Sequence, residues 1–186
     1  MPQAPDQALL NKLIIEWHSV AEGHALPDGL NPFFRFVASW IAFNALYSQD
    51  GLGGRETDQI ERFCQDAVFM SCHEALLGSD DEYREAVTYV MERPIQRLSN
   101  RPRRSYRAPT EGIFDGSPPQ RRTPSEISRL SSDVEEVMMA IYYIRNNLFH
   151  GGKSPCNPRD RRLVEASCRI ITTLLSDRIS ELSSFV

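Results

Sequence analysis

The sequence predicts an all-α protein: a bundle of about five to six helices with an irregular, arginine-rich insert. Three observations predict it. Apolar residues recur at the 3.6-residue helical spacing along most of the 186-residue chain. No segment holds the two-residue alternation of a half-buried strand. Proline and glycine gather at the breaks, most densely over residues 99–122. The length suits a single domain over residues 1–186 and is enough to bury a core without metal or disulfides.

Each element follows from local signals. Asp6 can cap a first helix that turns Leu9, Leu10, Leu13, Ile14, Trp17 and Val20 inward. Asn31-Pro32 then supplies a cap and first-turn proline for a second helix, reaching about Gln49. Phe33, Phe36, Val37, Trp40, Ile41, Phe43, Ala45, Leu46 and Tyr47 leave that helix apolar most of the way round, as befits the centre of a core. A loop at Asp50–Gly54 precedes a third helix from Thr57 to Leu77, with Ile60, Phe63, Cys64, Ala67, Val68 and Ala75 inward. A fourth starts at Asp81 with Tyr83, Val87, Val90 and Met91 inward, and Pro94 kinks or ends it. Residues 99–122 are too long for an ordinary helix connection, so they form a disordered insert or a functional arm. Thr123-Pro124-Ser125-Glu126 reads as a capping box opening a fifth helix, and Asn157-Pro158 opens the last. That last helix turns Leu163, Val164, Ile170, Ile171, Leu174, Leu175, Ile179 and Leu182 inward.

Charge is ordinary on average and uneven in detail. The net charge of −4 does not mark a bulk nucleic-acid binder. Yet Arg93 to Pro124 holds eight arginines against Glu111 and Asp115, a local balance of +6. Arg101, Arg103, Arg104, Arg107, Arg121 and Arg122, with Tyr106 among them, could track an RNA backbone. They could equally be a solvated loop that balances an acidic bundle.

Cys64, Cys72, Cys156 and Cys168 form no C-x-x-C pair, so reduced thiols packed in a core are expected. No metal or cofactor is expected. His18 and His73 stand near Glu16 and Glu74 without a second ligand at metal spacing, and Gly51-x-Gly53-Gly54 lacks a phosphate-loop lysine. The N-terminus has no basic region followed by an apolar run, and no stretch reaches eighteen apolar residues; a cytoplasmic protein is expected.

The segment Arg145-Asn146-Asn147-Leu148-Phe149-His150-Gly151-Gly152 carries the chemistry. Arginine can hold a phosphate through two parallel hydrogen bonds, and histidine titrates near neutrality. On a helix wheel Ile127, Leu130, Val134, Val137, Met138, Ile141 and Leu148 form one stripe, with Arg145 in its middle. A cation aimed at a core needs an answer, so Arg145 either meets a carboxylate, snorkels out, or opens onto a cleft. In a continuing helix His150 would point about 140° away from Arg145. Either the helix ends near Asn147, or a second chain completes the site, with Met139 and Tyr143 as the patch where it packs. Taken alone, His150 is also what a helix C-terminus favours as a cation.

This motif resembles that of the HEPN superfamily, whose signature is an arginine and a histidine separated by four to six residues, with a polar residue after the arginine. Phe36-Val37-Ala38-Ser39-Trp40-Ile41-Ala42-Phe43-Asn44-Ala45-Leu46-Tyr47 is similar to the aromatic-rich W-x-x-F-N-x-L-Y run of the Apea-like branch. The likeness covers residues 31–50 and 124–182 and leaves out the arginine-rich insert. It implies a helical bundle that pairs as a homodimer, and a metal-independent endoribonuclease, often a toxin or phage-defence effector with an antitoxin or partner protein. Some members are non-catalytic modules that bind RNA, a nucleotide or a protein. The resemblance gives Arg145, His150 and Asn146 catalytic roles. Asn147 and Asn44 are expected to support them; Asn44 is as readily a satisfied polar residue on a core helix.

Overall fold

The computed structural model describes residues 7–22, 32–49, 53–92, 122–149 and 157–183. The described residues form eight α-helices: α1 (Gln7–Glu22), α2 (Pro32–Tyr47), α3 (Glu56–Cys64), α4 (Ala67–Ser79), α5 (Asp81–Met91), α6 (Pro124–Ser131), α7 (Val134–Phe149) and α8 (Pro158–Ser183). The protein is all-α. The Asp6 cap, the 99–121 part of the insert, His150 with its two glycines, Cys156, and the side chains of Leu9, Leu10, Leu13, Trp17, Val20 and Leu182 lie outside the described residues.

Helix α8, 26 residues and therefore about 39 Å long, is the spine against which α1, α2 and α5 pack. Its inward row, Leu163, Val164, Ile170, Ile171, Leu174, Leu175 and Ile179, is buried as its spacing predicts. Helix α2 packs against both α1 and α8 and buries Phe36, Trp40, Phe43, Leu46 and Tyr47. Phe43 meets Trp40, Tyr47 and Phe63 edge-on, with centroids 5.5, 5.0 and 5.5 Å away. Burying one such ring stabilises the fold by about 2–3 kcal/mol. Hydroxyls caught in the core bond back along their own helices: Ser39 to the Phe36 carbonyl, Ser167 to that of Leu163, and Thr172 to that of Cys168.

Two expected helices are each a pair. The span expected from Thr57 to Leu77 breaks at Gln65-Asp66, because Asp66 Oδ1 accepts from the Val68 and Phe69 amides and starts α4 afresh. The restart turns the wheel. Phe69 and His73 face in, whereas Val68, Ala67 and Ala75 are exposed, contrary to the expected register. The span from Pro124 likewise stops after Ser131. Thr123 and Glu126 close the capping box of α6, and Asp133 Oδ1 accepts the amides of Glu135 and Glu136 to begin α7.

Candidate functional site

Helix α7 carries Arg145 in its last turn and a half. Its core row is Val134, Val137, Met138, Ile141 and Ile144, the last four fully buried. At about 100° per residue Arg145 falls between Val134 and Met138, inside that row, as its spacing predicts. Its side chain is 20 % exposed. The break between α6 and α7 leaves that phase unchanged, because Val134 to Leu148 lie on one continuous helix.

The answer to the cation comes from α3, which packs on α7. Gly53 and Gly54, with φ of 64° and 102°, turn the chain in a region that favours glycine and lead it into α3. Glu56 is the first residue of that helix, where the dipole favours an acid. Its Oε1 lies 3.1 Å from Arg145 Nη2, and Arg145 Nη1 donates to its Oε2 at 3.3 Å. The Tyr47 hydroxyl, at the end of α2, donates to Glu56 Oε1 at 2.7 Å. Burial first, and then the hydrogen bond to Glu56, push the Tyr47 phenol well above the ordinary tyrosine range, so it stays a donor. Arg145 Nη1 also donates to Asn146 Oδ1 at 2.7 Å. Three helices thus converge on one guanidinium.

Aromatic rings wall the group. The guanidinium carbon lies 5.2 Å from the Trp40 ring centroid, 6.0 Å from Tyr142 and 5.1 Å from Phe149. Contacts of this kind are worth about 0.5–2 kcal/mol each, according to exposure. Phe149 is 55 % exposed, an apolar surface beside the cation at the end of α7. Trp40 Nε1 and Arg145 Nε are both buried with no hydrogen-bond partner among the described atoms.

The structure therefore brings together Arg145, Asn146, Glu56, Tyr47 and Trp40. Asn44 sits part-buried on α2, one turn before Tyr47, and Asn147 is part-buried on α7. His150 follows the last described residue of α7. Of the arginines in the basic strip, only Arg122 is described. Its Nη1 donates to the Met91 carbonyl at 2.7 Å and so helps end α5. Arg101, Arg103, Arg104, Arg107 and Arg121 lie outside the described residues. Met139 and Tyr143, expected as a partner's packing patch, are part-buried, and Met139 packs against the core.

Sequence reasoning missed Glu56. It lies 89 positions from Arg145, and no local pattern links them. Tyr47 and Trp40 entered only through the aromatic run of α2, without the role that the geometry gives them.

Elsewhere, a cleft of about 540 Å³ is lined by Glu22, Arg35, Asp80, Glu165 and Arg169, charges of both signs. Arg169 is itself taken by Asp80 at 3.7 Å and Glu82 at 2.7 Å. None of the Arg145 site lines it. Among the described residues no three His, Cys, Asp or Glu side chains gather as a metal site, and no helix is long and apolar enough to cross a membrane. Cys64, Cys72 and Cys168 take part in no disulfide. Protein-family models, curated proteins and solved structures alike yield no match to this chain.

Proposed function

We propose that this chain is a metal-independent endoribonuclease of the HEPN type, acting as a toxin or phage-defence effector, with Arg145 and His150 as its reactive pair. The observation that carries the reading is the placement of Arg145. Its guanidinium lies at the rim of the bundle, anchored and still 20 % exposed, five residues before His150. RNA supplies its own nucleophile, the 2′-OH. One imidazole takes that proton, and a second protonates the departing 5′-oxygen. Arg145 holds the non-bridging oxygens and offsets the charge that builds on the phosphorane. The products are a 2′,3′-cyclic phosphate and a 5′-hydroxyl. Two His150 side chains for one phosphate require two chains, hence a homodimer.

The test is purified protein with end-labelled RNA in excess EDTA. Cleavage that persists in chelator, spares an all-deoxy strand and disappears in His150→Ala with the fold retained supports the reading. A monomer in solution that nonetheless cleaves RNA would remove the shared-site part of it.

A second reading has its own support. Glu56 already neutralises Arg145, as suits a non-catalytic HEPN module that binds RNA, a nucleotide or a protein. Under that reading RNA is retained and left intact.

A further inference from the structure

Arg145 has five N–H donors in one plane, and their assignments are unequal. Nη1 spends one on Glu56 Oε2 and one on Asn146 Oδ1. Nη2 forms an ion pair with Glu56 Oε1 at 3.1 Å. In a guanidinium Nε–H and one Nη2–H point the same way, as a parallel pair on the edge away from that contact. Nε is buried and has no acceptor among the described atoms. Such an unmet donor costs about 1–3 kcal/mol unless something in the working state meets it. Tyr47 fixes the other end of the arrangement by donating to Glu56 Oε1.

We propose that Glu56, oriented by Tyr47, is the positioning residue of this site: it grips the Nη1/Nη2 edge of Arg145 so that the Nε/Nη2 edge faces the two oxygens of a phosphodiester. Glu56 touches no reacting atom. It sets the rotation of the guanidinium plane, and Asn146 stops Nη1 from turning away. The carboxylate also lowers the local positive charge, so its value lies in geometry and not in raw attraction for an anion. The substrate class, a phosphodiester, rests on the ribonuclease reading; the positioning role does not.

The test uses the full-length chain, ¹⁵N-labelled, with the Arg145 Nε–Hε resonance assigned by its loss in Arg145→Lys. In wild type this proton exchanges slowly with water and its signal shifts saturably with inorganic phosphate. In Glu56→Gln its exchange accelerates roughly 10- to 100-fold, the equivalent of one charge-assisted hydrogen bond. Unchanged exchange in the variant, or a wild-type signal indifferent to phosphate, overturns the inference. Should Glu56→Gln not fold by circular dichroism, Tyr47→Phe decides: roughly three- to tenfold faster exchange supports it, and none overturns it. With RNA, Glu56→Gln lowers kcat roughly 10- to 100-fold while KM stays level or falls, because a repelling charge has gone. If wild type cleaves no RNA while both exchange results hold, the ribonuclease reading fails and the positioning role stands. If Glu56→Gln cleaves as wild type does, the positioning role fails and the ribonuclease reading stands.

Discussion

Replacing His73 tests how the α4–α6 corner is held. This imidazole is 1 % exposed. Its Nδ1 lies 2.6 Å from the Tyr83 hydroxyl and its Nε2 lies 2.9 Å from the Ser131 carbonyl. Burial pushes the Tyr83 phenol far up, so that group is the donor to Nδ1, and Nε2–H donates to Ser131. One neutral ring therefore ties three helices. His73→Ala leaves a buried hydroxyl and a carbonyl without their partner and opens a cavity. Each of these three losses is worth about 1–2 kcal/mol, giving about 3–6 kcal/mol in all. Burial is the main cause that lowers the His73 pKa; the Ser131 carbonyl, Asp133 and Glu74 pull the other way without prevailing. A base whose folded pKa is depressed binds more protons unfolded. Its stabilisation is thus complete above the unfolded value of about 6.5 and is lost as pH falls below it, at no more than about 1.4 kcal/mol per pH unit. Urea unfolding of wild type and His73→Ala at about pH 7.5 and about pH 5.5 measures both effects. The gap between the two proteins should narrow in acid. Parallel profiles, or a gap that widens, would refute the neutral-ring account.

Other outcomes are equally specific. Asp66→Ala should cost about 1 kcal/mol in urea unfolding, because two α4 amides lose their shared acceptor. Glu56→Ala should cost about 1–3 kcal/mol, because a half-buried guanidinium and the buried Tyr47 hydroxyl both lose a partner. In Tyr47→Phe that cost should fall to about 1 kcal/mol, read in the same assay. Thiol labelling followed by mass spectrometry should find Cys72 modified well before Cys64 or Cys168. Those two are buried, and burial is the main cause that raises their pKa, so little thiolate forms.

The fold class was legible because periodicity survives in every long helix: α5 and α8 bury the described residues that their spacing assigns, and α2 buries most of its row while leaving Phe33, Val37 and Ile41 half-buried. Caps were legible too, as at Thr123 and Asn157, whose Oδ1 accepts from the Arg159 amide at 2.9 Å. The interruptions at Asp66 and Asp133 were not. An aspartate inside an amphipathic run reads as an exposed helical residue until its carboxylate is seen to accept the amides ahead of it. The pairing with a carboxylate was named as one way to answer the cation. Its identity was beyond reach, because Glu56 and Arg145 meet only through the packing of α3 on α7.

The bond from Arg122 to the Met91 carbonyl spans 31 positions of sequence and closes them at 2.7 Å. The two described stretches that flank residues 93–121 therefore stand one arginine side chain apart. For two ends held this close, doubling the length of a connection adds only about 0.6 kcal/mol of closure entropy. The closure sets a geometric test: a chain in which a short Gly-Ser bridge replaces residues 93–121 has its two ends already in place at Met91 and Arg122, and circular dichroism of that chain reads whether the helices that present Arg145 persist.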